Sequence, residues 1–158
     1  MKHVFQDVRS GDGYKNRPNY QTAATNFNSK SVPIKTISEI IYYATDRELY
    51  AFAGQAYAAI MSMDFSKSPY TDVREAIMDT NLYKGYQKLK NGKDFLNKNR
   101  TNEKLNTLLQ QFAVNFNQIL EHCEWAIKEY AKYIGRVIVK SEKDILERDI
   151  QNGAMVDY

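Results

Sequence analysis

A single cysteine, Cys123, stands in 158 residues. One thiol cannot build an internal disulfide framework, which points to a reducing compartment. Histidine is nearly as scarce, with only His3 and His122, so the imidazole chemistry of most acid–base and metal sites has little to draw on. Three prolines and seven glycines leave long stretches free of helix breakers. No apolar run approaches the roughly 20 residues that span a bilayer. The opening Met1-Lys2-His3-Val4-Phe5-Gln6-Asp7 turns polar at once and lacks the apolar core of a signal peptide. These absences predict a cytoplasmic protein with no membrane partner and no cofactor.

The composition is that of an ordinary folded domain, with 43% hydrophobic and 26% charged residues. The length suits one domain, and such a chain buries roughly two-thirds of its unfolded surface without a staple. Net charge is only +3, but it is unevenly spread. Residues 1–31 hold five cations (Lys2, Arg9, Lys15, Arg17, Lys30) against Asp7 and Asp12, so this arm carries the whole excess over a neutral body. Within the body, Lys84, Lys88, Lys90, Lys93, Lys98, Arg100 and Lys104 face only Asp94 and Glu103 over residues 84–104. Two basic zones on a neutral chain point to a polyanion or an acidic protein surface as partner.

The pattern predicts a mainly α protein: a helical bundle (32–158) around one long helix, preceded by an irregular arm (1–31). In the arm, Gly11, Gly13 and Pro18 break any period, and Asp12-Gly13 is a hairpin-turn signal after Val4, Phe5 and Val8. Ser31 and Pro33 mark a helix start. Thr45 and Glu48 form a capping-box pattern. Leu49, Phe52, Ala53, Ala56, Tyr57 and Ile60 then draw one apolar stripe. Ser68-Pro69 signals a third helix that Asp79-Thr80-Asn81 interrupts and Asn91-Gly92 ends, with Lys93 to Arg100 as a basic connector. From Leu105, the positions Leu109, Phe112, Phe116, Ile119, Cys123, Ala126, Tyr130, Tyr133 and Val137 step by fours and threes, a heptad seam. This predicts a helix over about 101–138, on the order of 50 Å long. A short helix over Ile145, Leu146 and Ile150 follows Ser141. Arg136 to Lys140 carries weak strand signal.

Catalytic chemistry finds little support. Cys123 lies on the heptad seam and reads as a small buried hydrophobe. Its neighbour His122 points away from it on a helix. Glu121-His122-Cys123-Glu124 is ligand-rich in text, but four consecutive helical residues fan around the axis and cannot converge on a metal ion; a Glu124–Lys128 ion pair is the expected arrangement. Gly11 to Lys15 lacks P-loop spacing. No catalytic residue and no metal site is predicted. Two binding constellations remain. In the arm, Arg9, Tyr14, Lys15, Arg17 and Tyr20 interleave cations with aromatics, which suits phosphates and bases or a protein hot spot. In the body stands the lysine-rich strip, with Lys84 and Lys88 on one helical face. Lysine rather than arginine there favours diffuse electrostatics.

The whole profile resembles the anti-CRISPR proteins of phages and mobile elements from low-GC Gram-positive bacteria. The resemblance lies in the size, the Asn-, Lys- and Tyr-rich composition, the missing catalytic groups, and an arm such as Arg9-Ser-Gly-Asp-Gly-Tyr14-Lys15 joined to a helical body. It carries no residue-by-residue correspondence. It implies a stoichiometric inhibitor that binds a guide-RNA-loaded type II CRISPR effector nuclease in a bacterial host and blocks DNA binding or cleavage. Two other readings stand beside it: a nucleic-acid-binding accessory protein that uses the arm and the lysine strip, and a subunit that self-associates through the heptad helix.

Overall fold

The computed structural model describes residues 20–153. Over them the chain forms seven helices and no strand. In chain order they are α1 (Tyr20–Thr25), α2 (Val32–Tyr43), α3 (Asp46–Met61), α4 (Val73–Ile77), α5 (Asn81–Lys98), α6 (Glu103–Gln110) and α7 (Phe116–Gln151). The hairpin signal at Asp12-Gly13 lies outside the described residues.

The spine is α7, and two helices run along it in opposite senses. α5 is antiparallel to its first half: Arg100 covers Phe116 at 4.9 Å, the Cys123 thiol donates to the Leu89 carbonyl at 3.3 Å, and a Cβ on Gly85 would lie 2.7 Å from the Tyr130 ring. α3 is parallel to its second half. There Tyr50 and Tyr133 rings meet at 5.5 Å, Tyr57 donates to the Asp144 carboxylate, and Arg148 donates to the Met61 carbonyl at 2.9 Å. The seam read from sequence is the inner face of this arrangement. Leu105, Leu109, Phe112, Ile119, Cys123, Ala126, Tyr130 and Val137 are all buried. The tyrosine hydroxyl at position 130 donates to the Tyr43 carbonyl at 2.6 Å, satisfying the one polar group the seam buries there.

Several helix starts follow the local code. Ser31 stands at the N-cap position of α2 without a side-chain capping bond, and Pro33 lies in the first turn. Thr45 accepts from the Glu48 amide at 3.3 Å and starts α3. Thr80 starts α5 in the same way, through the Tyr83 amide at 3.4 Å.

Other boundaries differ from those expected, each for a physical reason. The long helix is Phe116–Gln151 rather than about 101–138. Residues 103–110 form a separate helix, and Ala113 sits at φ 55°, in the left-handed region that stops a helix. Asn115 then opens α7 with a full capping box, accepting from the Gln118 amide at 2.8 Å while Gln118 accepts from the Asn115 amide at 2.9 Å. At the other end α7 passes through Gly135 and Ser141, so Arg136 to Lys140 is helix and no separate last helix exists. Asn91-Gly92 does not end α5, which continues through the expected basic connector to Lys98. The glycine there serves a close approach: a Cβ on Gly92 would lie 2.4 Å from Ile40 Cγ1 of α2. Ser68-Pro69 precedes rather than starts the next helix, which Asp72 caps through the Glu75 amide at 2.9 Å.

Part of the segment read as an irregular arm is helical and packed. Ala23 of α1 is fully buried, Phe27 lies 4.9 Å from Tyr42 and 6.0 Å from Tyr43, and Tyr43 meets Phe52 at 5.9 Å.

Not every glycine is packed in this way. Gly54 is exposed within α3, and nothing lies within 4 Å of where its Cβ would stand. Gly54→Ala is therefore expected to stabilise the protein by about 0.5–1 kcal/mol, because alanine restricts the unfolded chain at no steric cost. Chemical denaturation is the check.

Candidate functional site

Four of the candidate arm residues, Arg9, Tyr14, Lys15 and Arg17, lie outside the described residues. The fifth, Tyr20, begins α1 and faces the body. Its ring stacks on Tyr42 at 6.0 Å, the Arg47 guanidinium lies 5.4 Å above it, and its hydroxyl donates to Glu48 at 3.5 Å. Partial burial raises its pKa above the ordinary phenol value. Tyr20 is thus a clasp that holds α1 on α2 and α3. Tyrosine as a whole is spent this way: none of the ten tyrosines among the described residues is fully exposed. The abundance of tyrosine, which in sequence suits a partner hot spot, goes largely into packing.

The strip residues divide into two groups. Lys88 and Lys93 are structural ties: Lys88 pairs with Glu39 of α2 at 3.2 Å, and Lys93 with Glu124 of α7 at 3.3 Å. Glu124 therefore pairs across helices rather than with Lys128. Lys90 lies over the Tyr86 ring at 5.1 Å. Lys84 and Lys98 are exposed with no ion pair among the described residues, and they share the outer face of α5 with Gln87, Asn91 and the exposed carboxylate Asp94. The rise of a helix puts Lys84 and Lys98 roughly 21 Å apart. Arg100 projects from the α5–α6 turn, where its guanidinium donates to Asn97 Oδ1 at 2.9 Å and covers Phe116 at 4.9 Å. A stacked, exposed arginine is held with its remaining N–H groups turned to solvent.

Beyond the turn the surface becomes amide-rich, a feature that the charge count passes over. Asn97, Asn106, Gln110, Gln111 and Asn117 are exposed beside Lys98, Arg100 and Lys104. Over residues 97–118 the sole carboxylate is Glu103. The visible signal was the run of amides itself. Cations and neutral amides with almost no acid make a surface that attracts phosphate or carboxylate and hydrogen-bonds without repelling it.

The reactive groups sit elsewhere and are engaged. Cys123 is fully buried, and burial pushes its thiol up to about 12, so it stays protonated near neutral pH. The His122 ring stacks near Trp125 at 6.2 Å. Among the described residues no cluster of His, Cys, Asp and Glu is arranged to hold a metal ion, and no helix is long and apolar enough to cross a membrane.

No protein-family model matches the chain, and no curated protein or solved structure is significantly similar to it.

Proposed function

We propose that this chain is a non-catalytic binding protein that docks on a nucleoprotein, in the manner of an inhibitor of a guide-RNA-loaded CRISPR effector nuclease. The observation that carries binding is the acid-poor surface of Lys98, Arg100 and Lys104 with its exposed amides, with Lys84 further along the same helix face. The choice of a CRISPR nuclease rests on the sequence profile. The rigid helical frame supports the reading, since Lys88 and Lys93 brace α5 from both sides and present the other cations in a fixed array.

The test is a cleavage titration with a type II effector loaded with guide RNA. Cleavage should fall linearly with added protein and vanish near equimolar ratio. The triple variant Lys84→Glu/Lys98→Glu/Arg100→Glu should need about tenfold more protein or worse, since each reversed charge repels the polyanion. Undiminished cleavage at large excess sinks the inhibitor reading.

The amide-rich end favours a second reading, a nucleic-acid-binding accessory protein. On that reading the chain binds isolated RNA or DNA, and log K falls with log salt by roughly 0.7–0.9 per phosphate contacted.

A further inference from the structure

The second half of α7 carries another seam, on the side away from the core. Lys132, Arg136, Val139, Lys143, Leu146 and Ile150 step by fours and threes, and all six are exposed. Val139 is 65% exposed, Leu146 48% and Ile150 49%. Five large apolar side chains stand exposed among the described residues, and these are three of them. Single exposed apolar residues are ordinary, but an aligned set marks a contact.

The helix cannot roll to hide this line. Its opposite face is locked by buried Val137 and Ser141, by the Tyr57–Asp144 hydrogen bond and by Arg148 on the Met61 carbonyl. A depression of about 710 Å³ opens along the same face, floored by Gly135 and Val139 and walled by Lys132, Arg136, Lys140, Lys143 and Asp144. Gly135 is exposed on this floor, with nothing within 4 Å of a Cβ built there. Four of the five charged walls are cationic. Lys132 is tied to Glu129 at 3.2 Å and Lys140 to Asp144 at 3.0 Å, while Arg136 and Lys143 have no ion pair among the described residues. Of the carboxylates on this stretch, Asp144 lines the depression but is engaged by Tyr57 and Lys140, Glu142 turns toward Arg74 at 3.7 Å, and Glu147 and Asp149 stand toward the far end.

We propose that this outer seam of α7 is a docking groove for an amphipathic, acidic helix of a partner protein. The 4–3 spacing is what a second helix needs to set its side chains between those of the first. The apolar residues supply the buried middle, and Arg136 and Lys143 call for carboxylates beside it. A second copy of the chain would bring the same cations to the groove. A nucleic acid would neutralise the cations and leave Val139, Leu146 and Ile150 uncovered. The groove is independent of the α5 surface and stands whether or not that surface binds a nucleoprotein.

The probe is a synthetic helical peptide of about three heptads, with leucine along its seam and glutamate on its flanks. Its counterpart has lysine on the flanks. Binding of each to the full chain is read by fluorescence anisotropy at physiological salt. The acidic peptide should bind in the micromolar range, and the lysine peptide at least about tenfold more weakly. Leu146→Asp and Lys143→Glu should each cost about tenfold or more, while Lys35→Glu, exposed on α2 and part of neither surface, changes nothing. The substituted positions are exposed, and circular dichroism checks that the variants fold. Equal binding of both peptides, binding of neither, or indifference to Leu146→Asp overturns the proposal. So does a dimer in sedimentation equilibrium that Leu146→Asp dissociates, since the occupant is then a second copy.

Discussion

Phe112→Ala is expected to destabilise the protein by about 3–5 kcal/mol, the cost of emptying a large aromatic site in a packed core. Phe112 lies between α6 and α7 and is fully buried. It is not merely filler. The chain reverses there through Ala113 at φ 55°, and Phe112 and Val114 both turn inward while the Asn115–Gln118 capping box opens the next helix. Removing the ring takes away the apolar anchor of that turn, and a polar loop with a strained residue has little else to hold it. For a chain of this size the thermal midpoint should fall by roughly 6–20 °C. Thermal unfolding followed by circular dichroism measures it. A drop of only a few degrees would mean that α6 contributes little to the cooperative unit. A charge at Phe112 is expected to unfold the chain outright rather than dissociate an oligomer, because the side chain faces the core and not a second copy.

Gly92→Ala is expected to destabilise as well, although alanine is the better helix former by about 1 kcal/mol. Gly92 is fully inside α5, and its missing side chain is what lets α2 and α5 touch. The added methyl would fall 2.4 Å from Ile40 Cγ1 and 2.7 Å from Cδ1. Ile40 is completely buried and β-branched, so it has no free rotamer to retreat into. The helices must separate, at a typical overpacking cost of about 1–3 kcal/mol. Ile40→Val in the same background should recover part of the loss by giving back a methylene of space. Denaturant titration of the single and double variants checks both signs, with Gly54→Ala as the control in which the same change meets open solvent. Ile40→Ala, which removes Cγ1 as well as Cδ1, should cost less in the Gly92→Ala background than alone, and an equal cost in both would place the fault elsewhere in α5.

The candidate surfaces were legible to different degrees. The cation excess over residues 84–104 is plain in the sequence, but its partition is not. Lys88 and Lys93 are consumed by Glu39 and Glu124, which are distant in sequence and adjacent only once α2, α5 and α7 pack. Tyr20 looked like a contact residue because tyrosine is amphipathic, and that same property makes it a good clasp at the edge of the core.

Residue order alone determined where chemistry is local. A helix start needs only its own few residues, so Ser31 with Pro33 and Thr45 with Glu48 announced α2 and α3. The apolar stripe of α3 and the seam from Leu105 to Val137 likewise foretold which side chains enter the core, because a helical period is a property of the segment. Tertiary structure decided the rest. The 4–3 spacing runs unbroken across the turn at 111–115, since Phe112 points inward in either case, so periodicity could not reveal that one helix is two. Gly92 ends a helix as readily as it admits a neighbour, and only the presence of Ile40 selects the second role. In the second half of α7 two seams share the same period, and nothing local distinguishes them. The one through Val137 and Ser141 is buried because α3 and α4 lie against the helix on that side. The one through Val139 and Leu146 remains exposed because no described element reaches it.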